Sequence, residues 1–307
     1  MRNIIVIGAS SGGIEALKEL TAGLLAELDA SVFIVLHMLP TAPSILPKIL
    51  AKESPFPVSF AQDKEPIRSG RIYVAPPNYH LLVERDHLHV TSGPREHFSR
   101  PSINPLFRSA AYAHQHRVIG VILTGQLDDG TAGLWEIKRR GGIAVVQDPS
   151  EALYPSMPLN ALNNVEVDHT VAIKDMPALL SRLVLEDGKM QQDSSQKAKE
   201  QPEGKSIDIT CPDCRGSLKQ YYFGSITEFR CRVGHAHSPL SMVDTHREAQ
   251  ERALWAAVVA LEEGATLSQQ LADTTGSQAF AREAEDKTRH AEALKTFITD
   301  IKYAEQP

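Results

Sequence analysis

The sequence predicts an α/β protein with a doubly wound, mostly parallel sheet and helices on both faces, followed by two smaller C-terminal parts. Three observations predict this organisation. Continuous apolar runs rich in β-branched residues alternate with helical patterns through the first 185 residues. All three cysteines then fall close together after a polar stretch. Beyond Pro239, the apolar residues recur at helical spacing.

Length and charge limit the classes of protein to which the chain can belong. Its 307 residues correspond to about two domains. The formal net charge of −6 argues against nucleic-acid binding, because phosphate contacts need a basic field. The sequence lacks the features of a signal peptide, and its apolar stretches are shorter than the about 18 residues of a membrane span. We therefore expect a cytoplasmic protein that neither binds nucleic acid nor inserts into a membrane.

Each of three apolar runs leads to a side chain that can take part in catalysis. The runs and the polar residues after them are 4–7 with Ser10, 32–36 with His37, and 118–123 with Asp129. Continuous runs of this kind are typical of parallel strands buried on both faces. Because ligands bind outside the carboxyl ends of such strands, we expect the three side chains to meet at that edge of the sheet.

These residue types are the ones that hydrolysis by a serine nucleophile requires. A hydroxyl group becomes a good nucleophile when an imidazole takes its proton, and a buried carboxylate fixes the imidazole tautomer. Ser10, His37 and Asp129 can fill those roles in that order. Gly12 and Gly13 permit a sharp turn, and the helix that starts there offers free N–H groups to a developing oxyanion.

A dinucleotide-binding loop is the alternative interpretation of the same turn. The glycines follow the first strand, as in that class of site, but the G-x-G-x-x-G spacing is missing. His37 also stands where the acidic residue that binds the ribose is expected. Hydrolysis is therefore the favoured interpretation.

Six motifs carry a resemblance to a known family over residues 4 to about 185. They are IGASSGG at 7–13, HMLP at 37–40, YVAPP at 73–77, RPS at 100–102, VILTG at 121–125 and DGTAG at 129–133. In these motifs the chain resembles the catalytic domain of the CheB protein-glutamate methylesterases. The resemblance implies that Ser10 is the nucleophile, His37 the general base and Asp129 the residue that orients it.

The resemblance also implies a reaction and a partner. The reaction is hydrolysis of γ-methyl esters on glutamate side chains of a chemoreceptor's signalling helices, and some relatives also deamidate glutamine. Both reactions pass through an acyl-serine, so the same residues can serve either leaving group. The resemblance implies no catalytic cofactor.

A second set of residues is predicted to bind the oxyanion or the substrate. The set is Ser11, Gly12, Gly13, Gln126 and Arg100. Gln126 stands where many members of the family have Met, beside the oxyanion site, so we expect a different pocket polarity. The resemblance implies that Arg100 approaches the cleft and positions an acidic receptor helix.

Family members in chemotaxis commonly carry an N-terminal receiver domain that covers the active site. This sequence begins directly with the esterase pattern. We therefore expect control by expression, by a partner or by the C-terminal half in place of a receiver domain.

Composition changes after residue 185 predict the domain boundaries. We predict a catalytic domain at 1–185, a flexible polar linker at 186–206, a zinc-ribbon-like module at 207–240 and a helical hairpin at 241–307. The helices are separated by a break at 274–277. Their exposed faces, with Trp255 as anchor, are candidates for docking a signalling partner, although a hairpin that only packs on the rest of the chain has the same pattern.

The cysteines and a nearby histidine have the spacing of a metal site. Cys211 and Cys214 form a C-x-x-C pair, and Cys231 and His235 follow after 16 intervening residues at C-x-x-x-H spacing. This pattern predicts a structural Cys₃His zinc site, with His237 as the alternative fourth ligand. A short hairpin between the pairs is too small to build a core without a metal.

Four further histidines, His80, His87, His89 and His97, are interpreted as surface or hydrogen-bonded residues.

Two alternative functions remain beside methylesterase activity. One is a hydrolase that acts on a different carboxyl ester, and the other is a signalling adaptor without catalysis.

Overall fold

A computed structural model describes residues 3–38, 44–185 and 204–304, with side chains described up to residue 300. The chain forms two compact units, residues 1–242 and 243–307. The predicted linker lies almost entirely at 186–203, outside the described residues. Its last two residues, Lys205 and Ser206, begin a strand.

The first unit is built on a seven-stranded sheet in which every neighbouring pair is parallel. Its strands are β1 (Ile4–Ala9), β2 (Ser31–Leu36), β3 (Val58–Phe60), β4 (Arg71–Val74), β7 (Val118–Ile122), β8 (Ile143–Gln147) and β9 (His169–Val171), with β5 (His80–Val83) and β6 (Leu88–Thr91) forming a separate hairpin. The strand order is β3-β4-β2-β1-β7-β8-β9. From β1 the sheet continues through β2, β4 and β3 on one side and through β7, β8 and β9 on the other, as the doubly wound prediction requires.

Six helices cover the two faces of this sheet. They are α1 (Gly13–Ala22), α2 (Leu46–Leu50), α3 (Ile103–His114), α4 (Thr131–Arg139), α5 (Ser156–Asn164) and α6 (Met176–Leu185), with 3₁₀ turns at Gln115–Arg117 and Ile173–Asp175. The residues of β1 alternate between two apolar clusters, because successive side chains of a strand point to opposite faces. One cluster contains residues of α3, α4 and α5, and the other contains residues of α1, α2 and α6.

The predicted α/β fold is thus confirmed, and so are the three strands predicted to deliver the reactive side chains. β1, β2 and β7 are adjacent, with Ala9 paired to Leu36 and Gly8 paired to both Val35 and Ile122. Their carboxyl ends therefore lie side by side at one edge of the sheet.

A second, antiparallel sheet in the same unit contains the cysteines. Its strands are β10 (Lys205–Thr210), β11 (Ser217–Phe223), β12 (Ile226–Cys231) and β13 (Ala236–His237), paired in chain order. We call residues 205–238 the cysteine module. Phe223 and Ile226 join the apolar cluster of the large sheet, where Phe223 packs edge-on against Trp135 at 5.8 Å between ring centroids. The module is therefore packed against the catalytic fold.

The C-terminal part is helical, as predicted. Helix α7 (Pro239–Thr275) begins at the end of the first unit, and α8 (Gln278–Ala304) follows the break at Gly276, whose φ is 64°. The second unit buries a seam of small and aliphatic residues: Val258, Ala265, Ala272, Ala284, Ala291 and Ile298. No helix of the described residues is long and apolar enough to cross a bilayer.

Gly8 is the position where β1 tolerates no side chain, and its replacement tests the packing of α3 on the sheet. A Cβ atom at Gly8 would lie 2.4 Å from Cγ2 of the fully buried Ile103. We expect Gly8→Ala to lower the free energy of unfolding by about 1–3 kcal/mol, measured by urea denaturation. Gly93→Ala is the control, because the nearest atom to its added Cβ would be 3.9 Å away. Equal stability of the two variants would contradict the close packing of β1 and α3.

Candidate active site

The turn that contains Ser10 connects β1 to α1. Gly12 precedes the helix and has a φ of 74°, a backbone conformation that residues other than glycine rarely adopt. The Ser10 amide donates to the Thr124 carbonyl at 3.0 Å, and the Gly13 amide donates to the Ser10 carbonyl at 2.8 Å. The nucleophile candidate is therefore fixed from both sides by backbone hydrogen bonds.

His37 comes directly after β2 and bridges the other two predicted residues. Its backbone N–H donates to the Ala9 carbonyl at 3.1 Å, which continues the pairing of β1 and β2. In the ring, Nδ1 lies 3.1 Å from Ser10 Oγ and Nε2 lies 2.8 Å from Asp129 Oδ2. Since the carboxylate is an acceptor, Nε2 carries the proton and Nδ1 offers its lone pair to the hydroxyl.

Asp129 is buried, with 2% of its side chain exposed, and its carboxylate accepts hydrogen bonds on both oxygens. Besides His37, the donors are Ser102 Oγ (2.8 Å) and Ile103 N (2.7 Å) at Oδ2, and Asn104 N (3.1 Å) and Gly130 N (2.9 Å) at Oδ1. Three of these donors belong to Ser102 and the first turn of α3, where the helix has free N–H groups that stabilise an anion.

The pKa of Asp129 follows from these contacts. Burial by itself raises the pKa of a carboxyl group, because it penalises the charged form. The hydrogen bond from His37, the charge of nearby histidines and the Ile103 N–H outweigh burial and hold the pKa of Asp129 well below its ordinary value. Asp129 is thus a permanent anion beside His37.

The residues predicted to bind the oxyanion lie around Ser10. The N–H groups of Ser11 and Gly12 have no acceptor among the described residues, whereas that of Gly13 is already bonded to Ser10. Gln126 is exposed and lines a cleft of about 320 Å³ together with Tyr154, Leu159 and their neighbours. Gly125, which precedes it, packs closely enough that an added Cβ would be 2.8 Å from Ser10 Cβ.

Arg100 makes contacts within the protein. Its Nε and Nη2 donate to Asn78 Oδ1 at 3.1 and 2.9 Å, and Nη1 donates to the carbonyls of Ser92 and Gly93. These bonds account for four of its five N–H groups. Its role in substrate binding therefore stays a prediction. In the structure, Arg100 connects its own loop to Asn78 and to the segment that contains Ser92 and Gly93.

Sequence reasoning did not assign roles to Ser102, Asn104 and His97. Ser102 stands within the RPS motif as the residue before α3, a helix-capping position whose hydroxyl could have suggested a buried anion as its partner. His97 is 5% exposed and lies 3.0 Å from Asn104 through Nε2. Its burial depends on contacts distant in sequence, for which the sequence has no signal.

The four residues predicted to bind zinc are brought together in the cysteine module. The ligand atoms of Cys211, Cys214, Cys231 and His235 all lie within 4.8 Å of one another. Cys231 Sγ is 3.7 Å from Cys214 Sγ and 3.5 Å from His235 Nδ1. Tetrahedral Zn²⁺ with bonds of about 2.3 Å to sulfur and about 2.0 Å to nitrogen separates its ligand atoms by about 3.5–3.8 Å. The cluster therefore fits a metal ion of this kind.

His237 belongs to a neighbouring group. Its Nε2 lies 3.9 Å from Cys211 Sγ but only 3.1 Å from Asp213 Oδ2, and the ring is 1% exposed. The geometry thus favours His235 as the fourth member of the cysteine cluster, with His237 held by the carboxylate of Asp213.

Comparisons with known proteins agree with the motifs. The CheB methylesterase family model matches residues 5–180. A putative protein-glutamate methylesterase/protein-glutamine glutaminase of Leptospira interrogans is 43% identical over 180 residues, which are 58% of this chain and 93% of that protein. A protein-glutamate methylesterase/protein-glutamine glutaminase of Methanosarcina acetivorans is 37% identical over 191 residues, 60% of this chain and 54% of the relative. The chain thus spans about half the length of that second relative.

A solved structure shows the same likeness. The crystal structure of the CheB methylesterase catalytic domain of Thermotoga maritima superposes with a TM-score of 0.58 and 27% sequence identity, covering 60% of this chain and 99% of that domain. The residues that the family model matches contain the seven-stranded sheet and the Ser10 turn. From its first strand to α6, this chain belongs to the CheB methylesterase family.

Proposed function

We propose that this protein is a serine hydrolase that removes methyl groups from glutamate γ-methyl esters of chemoreceptor signalling helices. The observation that carries the proposal is the row of hydrogen bonds from Ser10 Oγ through His37 to the buried carboxylate of Asp129. The names of the relatives support this substrate, and also support deamidation of glutamine as a second activity. The three unpaired cysteines are consistent with a cytoplasmic location, where the signalling part of a receptor lies.

The proposed reaction begins with acylation of Ser10. Nδ1 of His37 takes the hydroxyl proton while Ser10 Oγ attacks the ester carbonyl, and Asp129 stabilises the imidazolium that forms. The tetrahedral intermediate collapses, His37 returns the proton to the leaving oxygen, and methanol departs. An amide substrate releases ammonia by the same steps.

Deacylation regenerates the enzyme and yields the glutamate carboxylate. Water, deprotonated by His37, attacks the acyl-serine carbonyl and Ser10 leaves with the proton. In both steps the oxyanion needs fixed donors close to Ser10. The N–H groups of Ser11 and Gly12 are the candidates, and the exposed Gln126 follows Gly125, which packs against Ser10.

We propose that the cysteine module holds a structural Zn²⁺ through Cys211, Cys214, Cys231 and His235. The support is the chemistry of the donor set and the spacing of its atoms, which match a closed tetrahedral site. Such an ion cross-links the turn after β10 to the end of β12 and stabilises a sheet whose own apolar cluster is small.

Loss of the nucleophile tests the esterase proposal. We expect Ser10→Ala and His37→Ala each to lower the rate of methanol release from a methylated receptor fragment by at least about 10³-fold, since the residues act as a unit. Ser69→Ala, an exposed serine just before β4 at the amino ends of the strands, is the matched control and should keep the wild-type rate. Turnover that persists in Ser10→Ala would exclude the acyl-serine.

Asp129→Asn tests the orienting role separately. The amide keeps the shape of the side chain but replaces one acceptor oxygen by an NH₂ donor. Such a donor cannot accept from the N–H groups of α3 and from His37 Nε2–H, so the substitution favours the wrong tautomer of His37. We expect kcat to fall by about 10³- to 10⁴-fold with a small change in KM, measured with the same receptor fragment. A change confined to KM would contradict this role.

Zinc content tests the metal proposal, and the two histidines test the choice of ligand. We expect the purified chain to hold about one Zn²⁺, measured by atomic emission, and His235→Gln to lose it more readily to a chelator. His237→Gln is the matched control and should retain the ion. The opposite order would make His237 the fourth ligand, and a folded wild type without affinity for Zn²⁺ would remove the proposal.

A further inference from the structure

The cysteine module contacts two of the three chain segments that surround Asp129. One segment is the loop 94–102, which leads to Ser102 and α3. The other is the loop 125–131, which contains Asp129 itself. These contacts lie within the first compact unit.

The loop before α3 is fixed to the module by its backbone. The His97 amide donates to the Ala236 carbonyl at 2.9 Å, and Glu96 forms a parallel bridge with Ala236. Pro94 packs beside Gly234, where an added Cβ would be 3.2 Å from Pro94 Cγ. The position of this loop sets where Ser102 and the first N–H groups of α3 meet Asp129.

The His97 ring connects this loop to the groups around Asp129. Asn104 lies against Nε2 of His97, donates through its backbone to Asp129 Oδ1, and accepts the Gly133 amide with its side-chain oxygen at 2.7 Å. On the module side, Glu228 is 1% exposed, and its Oε1 lies 3.7 Å from His97 Nε2 and 3.6 Å from Arg108 Nη1. A charged group of the module is therefore buried against the residue that holds Asn104.

The protonation of His97 follows from these neighbours. Burial disfavours a charged ring, yet the nearby carboxylates of Asp128 and Glu228 raise its pKa well above the ordinary value. The Asn104 amide lies 3.0 Å from Nε2, and its oxygen accepts from the Gly133 amide. His97 is therefore held between two carboxylates, with Asp128 of the loop before Asp129 at 3.6 Å from Nδ1 and Glu228 of the module at 3.7 Å from Nε2.

The second segment is held by a direct side-chain bond. Ser238 Oγ, at the end of the module, donates to Asp128 Oδ1 at 2.8 Å, one residue before Asp129. Leu127 has a positive φ of 61°, a conformation that costs free energy and persists only where neighbours impose it. Its carbonyl accepts from Ser156 and Asn160 of α5. The loop is thus fixed by α5 on one side and by the module on the other.

We propose that Ser238 and Glu228 of the cysteine module are positioning residues for the reaction: they hold Asp128, His97 and Asn104, and through them the orientation of Asp129. The inference rests on the proposed function of Ser10, His37 and Asp129. The module is then part of the catalytic apparatus, because it completes the surroundings of the buried carboxylate.

The reactivity of Ser10 in the chain of residues 1–307 tests this inference without the receptor. The probe is a fluorophosphonate, and the quantity measured is its second-order rate constant of reaction with Ser10, identified by mass spectrometry. We expect Ser238→Ala to lower this constant by about 3- to 10-fold, which corresponds to the loss of one hydrogen bond. Glu228→Gln should lower it at least as much, because it removes the charge that faces His97 and Arg108. Ser238→Thr keeps the hydroxyl and should restore most of the rate.

Ser225→Ala is the matched control, since Ser225 also bonds across the same interface, to Asn164 at 3.4 Å, but away from Asp128. With the methylated receptor fragment, the module variants should lower kcat and leave KM unchanged. Folded Ser238→Ala and Glu228→Gln chains that react at the wild-type rate would overturn the inference while leaving the esterase proposal intact. A wild-type Ser10 that does not react would overturn both. Because the two variants alter different contacts, either one that remains folded suffices for the test.

Discussion

The arrangement of the CheB-like part of this protein depends on the hydrogen bonds that stabilise one buried anion, the carboxylate of Asp129. Asp129 is out of contact with water, and a carboxylate in that position is stable only when its oxygens accept enough hydrogen bonds. Its donors come from the residue after β2, from the start of α3 and from its own loop, so three separate segments must arrive together before the charge is stable. The same donors keep the carboxylate ionised and aimed at His37, and folding and the proposed catalysis therefore depend on one set of contacts.

The parallel sheet explains why this arrangement is possible. β1 and β2 end side by side and place Ser10 next to His37. β7 ends on the other side of β1, and the loop that follows it contains Asp129. Gly8 gives α3 room to approach the centre of the sheet, where its first turn faces the carboxylate. The close approach of a helix N-terminus to the strand ends thus replaces the water that an exposed carboxylate would bind.

The sequence was sufficient for the elements that depend on local patterns. Strands buried on both faces, the turn at Gly12 and the C-x-x-C spacing each have a signature within a few residues, and these signatures predicted which side chains would lie at the sheet edge. The surroundings of Asp129 had no such signature. Ser102 lies 27 residues from Asp129 and Ser238 lies 110 residues from Asp128, and a capping serine or a buried histidine is common in sequences where it has no partner of this kind.

The contact of the cysteine module with the loop before Asp129 connects the C-terminal half to the proposed chemistry. A module that only extended the chain would meet the catalytic fold through apolar residues such as Phe223 and Trp135, which tolerate small shifts. Ser238 instead donates a hydrogen bond to Asp128, and its displacement leaves an acceptor unpaired at a cost of about 1–3 kcal/mol. Glu228 places a buried carboxylate 3.7 Å from His97 Nε2 and 3.6 Å from Arg108 Nη1. The docked position of the module and the geometry around Asp129 are therefore coupled, because a displaced module loses this hydrogen bond and moves this charge.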